Sequence, residues 1–464
     1  MSRDTTMTTR QGMPGTRPLR ALAGVLLVLG AGCAPLPPAP PADVTPPPAW
    51  ATLALDTQAG TWRAPSDDTL DALQARALAA NRDVAQALRR WQQAARQIDL
   101  AALDRLPRPT LGATASDSRA LTRSDPPVRA VGLSAGVSYE LDLWQRLAEA
   151  QSAQGALARA AHADWDAARL LVRSRVAEAW WALAAAQAQA PALAQQIDGA
   201  EQALALTRLR VLEGKLLPIE VDKAAGAVQA LQLQAAQLAE QRTRQRLALG
   251  LLLADPSYQP DRAALPALQA AAGDDWRARE QPADVLARRP DVQQARAQLD
   301  AALHRLRGVQ AARYPQLSFS AGLGSGGPGW RDWLDHPLAT LTASLVVPLV
   351  DWARLDLQRQ DALDEHELAA LRLRDTLHRA LVEVEQAAAE QQRLQQEQAA
   401  QAARLNEARV AERVATVRYE AGAISRLDWL QARNARLAAE HDAVQLQLRR
   451  LQNAVTLQRV LVAG

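Results

Sequence analysis

The chain has 464 residues, 48% hydrophobic and 22% charged, with 53 basic against 50 acidic side chains. Four arginines and one acid precede residue 33, so without that leader the charges balance, and the alkaline isoelectric point gives no support to nucleic-acid binding. One cysteine, Cys33, excludes an internal disulfide framework.

Arg3, Arg10, Arg17 and Arg20 are followed by twelve small or apolar residues, Ala21 to Gly32, too few for a bilayer-spanning helix; residues 1–32 therefore read as a secretory signal. Gly30, Ala31 and Gly32 before Cys33 read as a lipobox, with cleavage before Cys33 and acylation of that cysteine; an ordinary signal cut near an A-x-A-like site, or a buried free cysteine, is the other reading. The usual aliphatic residue three places before the cysteine is replaced by Gly30, and Leu29 stands one place further out. Ala34, rather than Asp, resembles lipoproteins released to the outer membrane. Eight prolines between Pro35 and Pro48 make residues 33–66 an extended tether. No cofactor is expected beyond this covalent lipid.

The remainder is one unit duplicated. Asp83/Asp291, Val84/Val292, Gln86/Gln294, Arg105/Arg313, Pro107/Pro315, Trp144/Trp352, Arg210/Arg418 and Gly214/Gly422 all lie 208 residues apart, a single offset held over about 140 positions. The expected organisation is a first repeat over 67–254, a connecting segment over 255–282 and a second repeat over 283–464.

Each repeat opens with a helix, Asp67 to Asp104 or Asp291 to Arg313, ended by Leu106-Pro107 or Tyr314-Pro315. Two strand-like stretches follow, "TLGATAS" and "VGLSAGVSYEL" in the first half, "QLSFSAG" and "LTASLVVPL" in the second. "GLGSGG", Gly322 to Gly327, fits a dinucleotide fingerprint by letter. It is followed by Pro328, Gly329 and Trp330 instead of a helix, and reads as a flexible outer loop. Trp330 and Trp333 would cap that loop. Trp144 and Trp352 fall where strand passes into helix, at a membrane-boundary level or packed on neighbouring helices.

The next helix has no proline or glycine from Ala353 to Ala421, 69 residues or roughly 100 Å. Leu363, Ala370, Leu377 and Val384 recur every seven residues, with Leu373, Ala380, Ala387 and Leu394 three positions later, which makes a coiled-coil seam. The first-half counterpart, Gln145 to Glu213, contains Pro191 and is expected to kink there. Gly214 and Gly422 permit a left-handed turn, after which each half returns through a shorter helix, Ile219 to Leu253 or Leu427 to Val462.

The fold class is mainly α with a small β part. Four strands cannot close a membrane barrel, whose smallest observed count is about eight, so strands that span a membrane must be shared between copies. Small and polar residues on one strand face suit a wet lumen. "DALDEHEL" around His366 lacks good metal-ligand spacing, no catalytic triad stands out, and the chain is not expected to be an enzyme.

"LARRPDVQQARAQLDAALHRLRGVQAARYPQLSFSAGLG", "SYELDLWQRL", "LRVLEGKLLPIEVDKA" and "VRYEAGAISRLDWLQAR" together resemble the TolC-like outer membrane efflux proteins of the acylated NodT/OprM branch. The resemblance implies a homotrimer in the outer membrane with a shared twelve-strand barrel and a helical tunnel. It further implies a periplasmic adaptor and an inner-membrane pump as partners, and export of drugs or other small molecules. By the same resemblance Gly214 and Gly422 mark the adaptor-docking hairpin tips, and Tyr419 and Asp428 belong to polar links that hold the periplasmic end closed. Gln431 stands where relatives often carry a second acid, and Arg296 where they commonly have Glu. Ordinary helix-end polarity is the other reading of Tyr419, Arg426 and Asp428. The rival functions are a protein-secretion duct and a lipid-anchored coiled-coil scaffold.

Overall fold

A computed structural model describes residues 50, 66–119, 127–260, 265, 268, 281–328, 337–348 and 350–461. The signal, Cys33, most of the tether, Trp330, Trp333 and most of the connecting segment lie outside the described residues.

The order is α1 (Asp68–Ala80), α2 (Arg82–Leu103), β1 (Arg108–Ser118), β2 (Val128–Leu141), α3 (Arg146–Leu212) and α4 (Ile219–Leu252). The second half repeats it with α5 (Pro282–Arg288), α6 (Pro290–Ala311), β3 (Gln316–Gly327), β4 (Leu338–Val346), α7 (Trp352–Glu420) and α8 (Arg426–Leu461).

The expected opening helix of the first repeat is two helices. Asn81 is extended between α1 and α2, its side-chain Oδ1 accepting from Asp83 N and Val84 N and its Nδ2 donating to Leu252 O at 3.2 Å. The side chain offers the backbone a better cap than a continued helix. Arg289, 208 residues on, makes the same break between α5 and α6, where Pro290 disfavours helical backbone before it. Its buried guanidinium donates to Val460 O at 3.4 Å and pairs with Asp291 at 2.8 Å and Glu383 at 2.6 Å. Leu252 and Val460 are themselves equivalent, so each break docks on the last turn of its own returning helix.

α3 runs 67 residues with Pro191 inside it, so the proline does not end the helix. Packing supports it on both sides: before the proline Trp180 and Trp181 are almost fully buried with Leu249 of α4 and Leu451 and Val455 of α8, and after it Leu193 packs with Leu238 of α4. Trp180 also donates to Asp67, which caps α1 through Leu70 N at 2.7 Å. In α7 seven of the eight heptad residues are buried, and Leu363 is half-buried.

The four strands form one antiparallel sheet in the order β1-β2-β3-β4. Gly322 to Gly327 is not a loop: these residues extend β3 and pair with Gly136 through Val131 of β2. A Cβ on Gly326 would stand 3.0 Å from Val131 O, so the glycines permit a close backbone approach within the ladder.

Candidate functional site

The strands are 11, 14, 12 and 9 residues long, enough for a tilted crossing of a hydrocarbon core. Their register sorts side chains onto two unlike faces. Leu111↔Ala135, Ala113↔Leu133, Val137↔Ala321, Tyr139↔Phe319 and Ala321↔Leu341 share one face. Thr110↔Gly136, Ser138↔Ser320, Ser320↔Thr342 and Ser318↔Ser344 share the other. The apolar face is uncovered within the protomer, Leu111 at 79% and Leu341 at 82% exposure. Large aliphatic side chains bare on one face, with hydroxyls and glycines on the other, are what lipid outside and water inside demand. β1 and β4 each pair on one side only, which leaves two edges with unpaired backbone groups. Among the described residues no helix is long and apolar enough to cross a membrane, which has no bearing on a barrel.

Trp144 and Trp352 both sit at the strand–helix junction. Trp144 stacks on Tyr314 at 4.8 Å and donates to Pro315 O at 2.8 Å, while the Arg313 guanidinium lies 4.2 Å from the Trp352 ring. These contacts support the packing reading of the two tryptophans. Below the polar face, Glu140 pairs with Arg146 at 2.8 Å, and Asp142 caps the start of α3 through Leu147 N and Ala148 N.

At the far ends of the long helices the two tips share one geometry. Gly214 and Gly422 both have φ +70°. Lys215 N bonds to Arg210 O and Ala423 N to Arg418 O, each at 2.8 Å, while Gly214 N and Gly422 N bond to Val211 O and Tyr419 O, each at 2.9 Å. These are two Schellman caps, which satisfy the last carbonyls of α3 and α7. Exposed Leu209, Leu212, Leu217 and Ile219 surround the first tip, and Val414, Val417 and Tyr419 the second.

The expected gate residues converge at the second tip but take separate partners. Asp428 closes a capping box: its Oδ2 accepts from Ser425 Oγ at 2.8 Å and Ser425 N at 3.1 Å, and Asp428 N faces Ser425 Oγ at 3.3 Å. The Ser425 hydroxyl, then its N–H, hold the carboxyl below the usual Asp range, and Arg210 adds to this. Tyr419 stacks on Trp429 at 5.6 Å, and Trp429 donates to Thr416 Oγ1 at 3.0 Å. Arg426 reaches the other hairpin, donating to Gln202 Oε1 at 2.7 Å. Gln431 is exposed about a turn beyond the cap. The sequence reading missed Ser425, although Ser-x-x-Asp is a legible capping signal. It also missed Gln202, which lies 224 positions from Arg426 and carries no signal.

His366 is buried in α7 with Nδ1 unpartnered, and among the described residues no three of His, Cys, Asp and Glu converge on a metal-sized site.

A family model described as outer membrane efflux protein matches residues 73–255 and 282–462. The chain belongs to this family. As an outer membrane efflux protein it is an efflux channel rather than an enzyme. It is 30% identical to the pyoverdine export outer membrane protein OpmQ of Pseudomonas putida, over 93% of this chain and 94% of that protein. It is 28% identical to the multidrug resistance outer membrane protein MdtP of Escherichia coli, over 88% and 86% respectively. The open-state MtrE outer membrane channel of Neisseria gonorrhoeae superposes with a TM-score of 0.80 at 21% identity, over 93% of this chain and 97% of that one.

Proposed function

We propose that three copies join their four-stranded sheets, β4 of one to β1 of the next, into one twelve-strand outer-membrane barrel continued by a tunnel of the long helices. The two-faced sheet with two open edges carries this reading, because a membrane tolerates no unpaired strand edge. Acylation of Cys33 and the proline-rich tether would anchor each chain to the inner leaflet of that membrane.

The Schellman turns at Gly214 and Gly422, ringed by exposed aliphatic side chains, are the surfaces we assign to a periplasmic adaptor, with an inner-membrane pump supplying the energy. The tip helices would part on adaptor docking. Relatives named for pyoverdine export and for multidrug resistance favour small molecules over protein as cargo. The reading of Asp428 as a helix cap is favoured over a direct gate link, since both described hydrogen bonds of its carboxylate come from Ser425.

The test is single-channel recording of the detergent-extracted full-length oligomer in planar bilayers, with heat-modifiable gel migration alongside. Discrete, long-lived current steps from a heat-modifiable oligomer are expected. A monomer that neither inserts nor shifts on heating would hand the function to a periplasmic scaffold.

A further inference from the structure

At the end of the sheet away from the helices, the apolar face stops at charge. Along β1 and β2 that face carries Leu111↔Ala135, Ala113↔Leu133 and Ala115↔Val131, and the next pair on it is Asp117↔Arg129. Arg119, just past the end of β1, reaches the same carboxylate: its Nε lies 3.7 Å from Asp117 Oδ1, and Arg129 Nε lies 3.4 Å from Oδ2. One acid thus serves two arginines, and both pairs are long. Neither arginine has another partner among the described residues. Their side chains stay 70% and 69% exposed, which leaves the Nη groups open to a second anion.

What lies below the pair fixes its level. From Arg129 down β2 the same face shows Val131, Leu133, Ala135 and Val137, and then Tyr139 opposite Phe319. Ten residues of strand at about 3.4 Å each, tilted by about 40°, rise about 26 Å, which matches the apolar band of an outer-membrane barrel. Tyr139 and Phe319 then stand at the helix-side boundary of the hydrocarbon, and Arg119 and Arg129 at the opposite one. The cost of arginine on a lipid face is steep at mid-bilayer and nearly vanishes at the interface, so the two guanidiniums are tolerated where the lipid phosphates begin.

We infer that Arg119 and Arg129 form a docking site on the outside of the barrel for a phosphate of lipid A, the phosphorylated glycolipid of the outer leaflet. The inference rests on the duct proposed above, which turns this face to lipid and this end to the exterior. A guanidinium presents a fixed fork of N–H donors that matches phosphate oxygens. Asp117 holds the two arginines side by side and, being outnumbered, leaves one positive charge per chain for the phosphate. The acyl chains of the same lipid cover Val131, Leu133 and the alanines opposite them.

The experiment titrates the full-length oligomer, in neutral detergent, with diphosphoryl lipid A and counts bound lipid by native mass spectrometry. Wild type should bind at least about tenfold more tightly than Arg119→Gln/Arg129→Gln. Arg119→Lys/Arg129→Lys, which keeps the charge and loses the fork, should fall between them. Asp117→Asn removes the competing carboxylate and should tighten binding about threefold. Where the double glutamine variant does not assemble, Arg119→Gln alone, beyond the strand end, should still weaken binding about threefold. The proposal is overturned if glutamine variants that form heat-modifiable oligomers bind as tightly as wild type, or if lipid A stripped of its phosphates binds equally well. Displacement of lipid A by an equal concentration of phosphatidylglycerol or inorganic phosphate would also overturn it, since the arginines would then be a general anion contact. Failure of the wild type itself to form a heat-modifiable oligomer would instead remove the duct reading and this inference with it.

Discussion

Gly214 and Gly422 are held at φ +70° with open space around the position of a Cβ, so replacement is penalised by backbone strain and not by a clash. Alanine at either should cost about 1–2 kcal/mol of local tip stability, and asparagine less, because its side chain tolerates the left-handed region. Amide exchange at residues 417–420 and 209–212 reads this directly. The neighbouring cap makes a pH prediction. Asp428 has a folded pKa held below its unfolded value, so its contribution is complete above the unfolded value of about 4 and is lost as pH falls through the lower folded one. Thermal melts of wild type and Asp428→Asn should therefore differ at neutral pH and converge at strongly acid pH. A constant difference across that range would remove the carboxylate from the cap. At this scale much was legible: both glycines and the Ser-x-x-Asp pattern announce their backbone roles. The Arg426–Gln202 link was not, because it depends on how two hairpins lie against each other.

Among the elements, a single offset of 208 residues is kept by β1 and β3, which begin at 108 and 316, and by α3 and α7, which end at 212 and 420, since duplication fixes order without any knowledge of packing. What it hid were local decisions between backbone and side chain. Asn81 breaks a helix expected to run from Asp67 to Asp104, because its side chain caps α2 and finds Leu252 O on the returning helix, and Arg289, before Pro290, reaches Val460 O in the same way. The glycine run of β3 looked like a loop by composition, yet its partner strand supplies the ladder bonds and needs the missing side chains. The unequal chemistry of the two breaks gives a prediction. Arg289 has 8% side-chain exposure and ties α6, α7 and α8 together, whereas Asp291 and Glu383 are nearly half exposed and can rehydrate. Arg289→Ala should cost about 3 kcal/mol, the lower end for a broken buried pair, against about 1 kcal/mol for Asn81→Ala as a lost cap. Denaturant unfolding of the two variants decides it, with equal midpoints counting against the tie.

For the whole molecule the sheet sets the terms. Four strands with open edges and a bare apolar face are unstable in water and cannot close alone, so assembly and membrane insertion become one requirement. Adjacent residues of β4 then report opposite environments. Leu341 lies on the apolar face opposite Ala321, and Thr342 on the hydroxyl face opposite Ser320. Leu341→Arg places a guanidinium against lipid, at a cost of about 2–4 kcal/mol per chain near mid-bilayer, repeated in every copy of the barrel. It should deplete the heat-modifiable oligomer from outer-membrane fractions. Thr342→Arg puts the same charge toward a wet lumen, so oligomer yield should hold while single-channel conductance falls and ion selectivity shifts toward anions. Equal loss of oligomer from both variants would mean that the two faces share one environment, as in a sheet packed within a soluble domain. The opposite pairing, with Thr342→Arg blocking assembly and Leu341→Arg tolerated, would turn the barrel inside out relative to the register on which the duct depends.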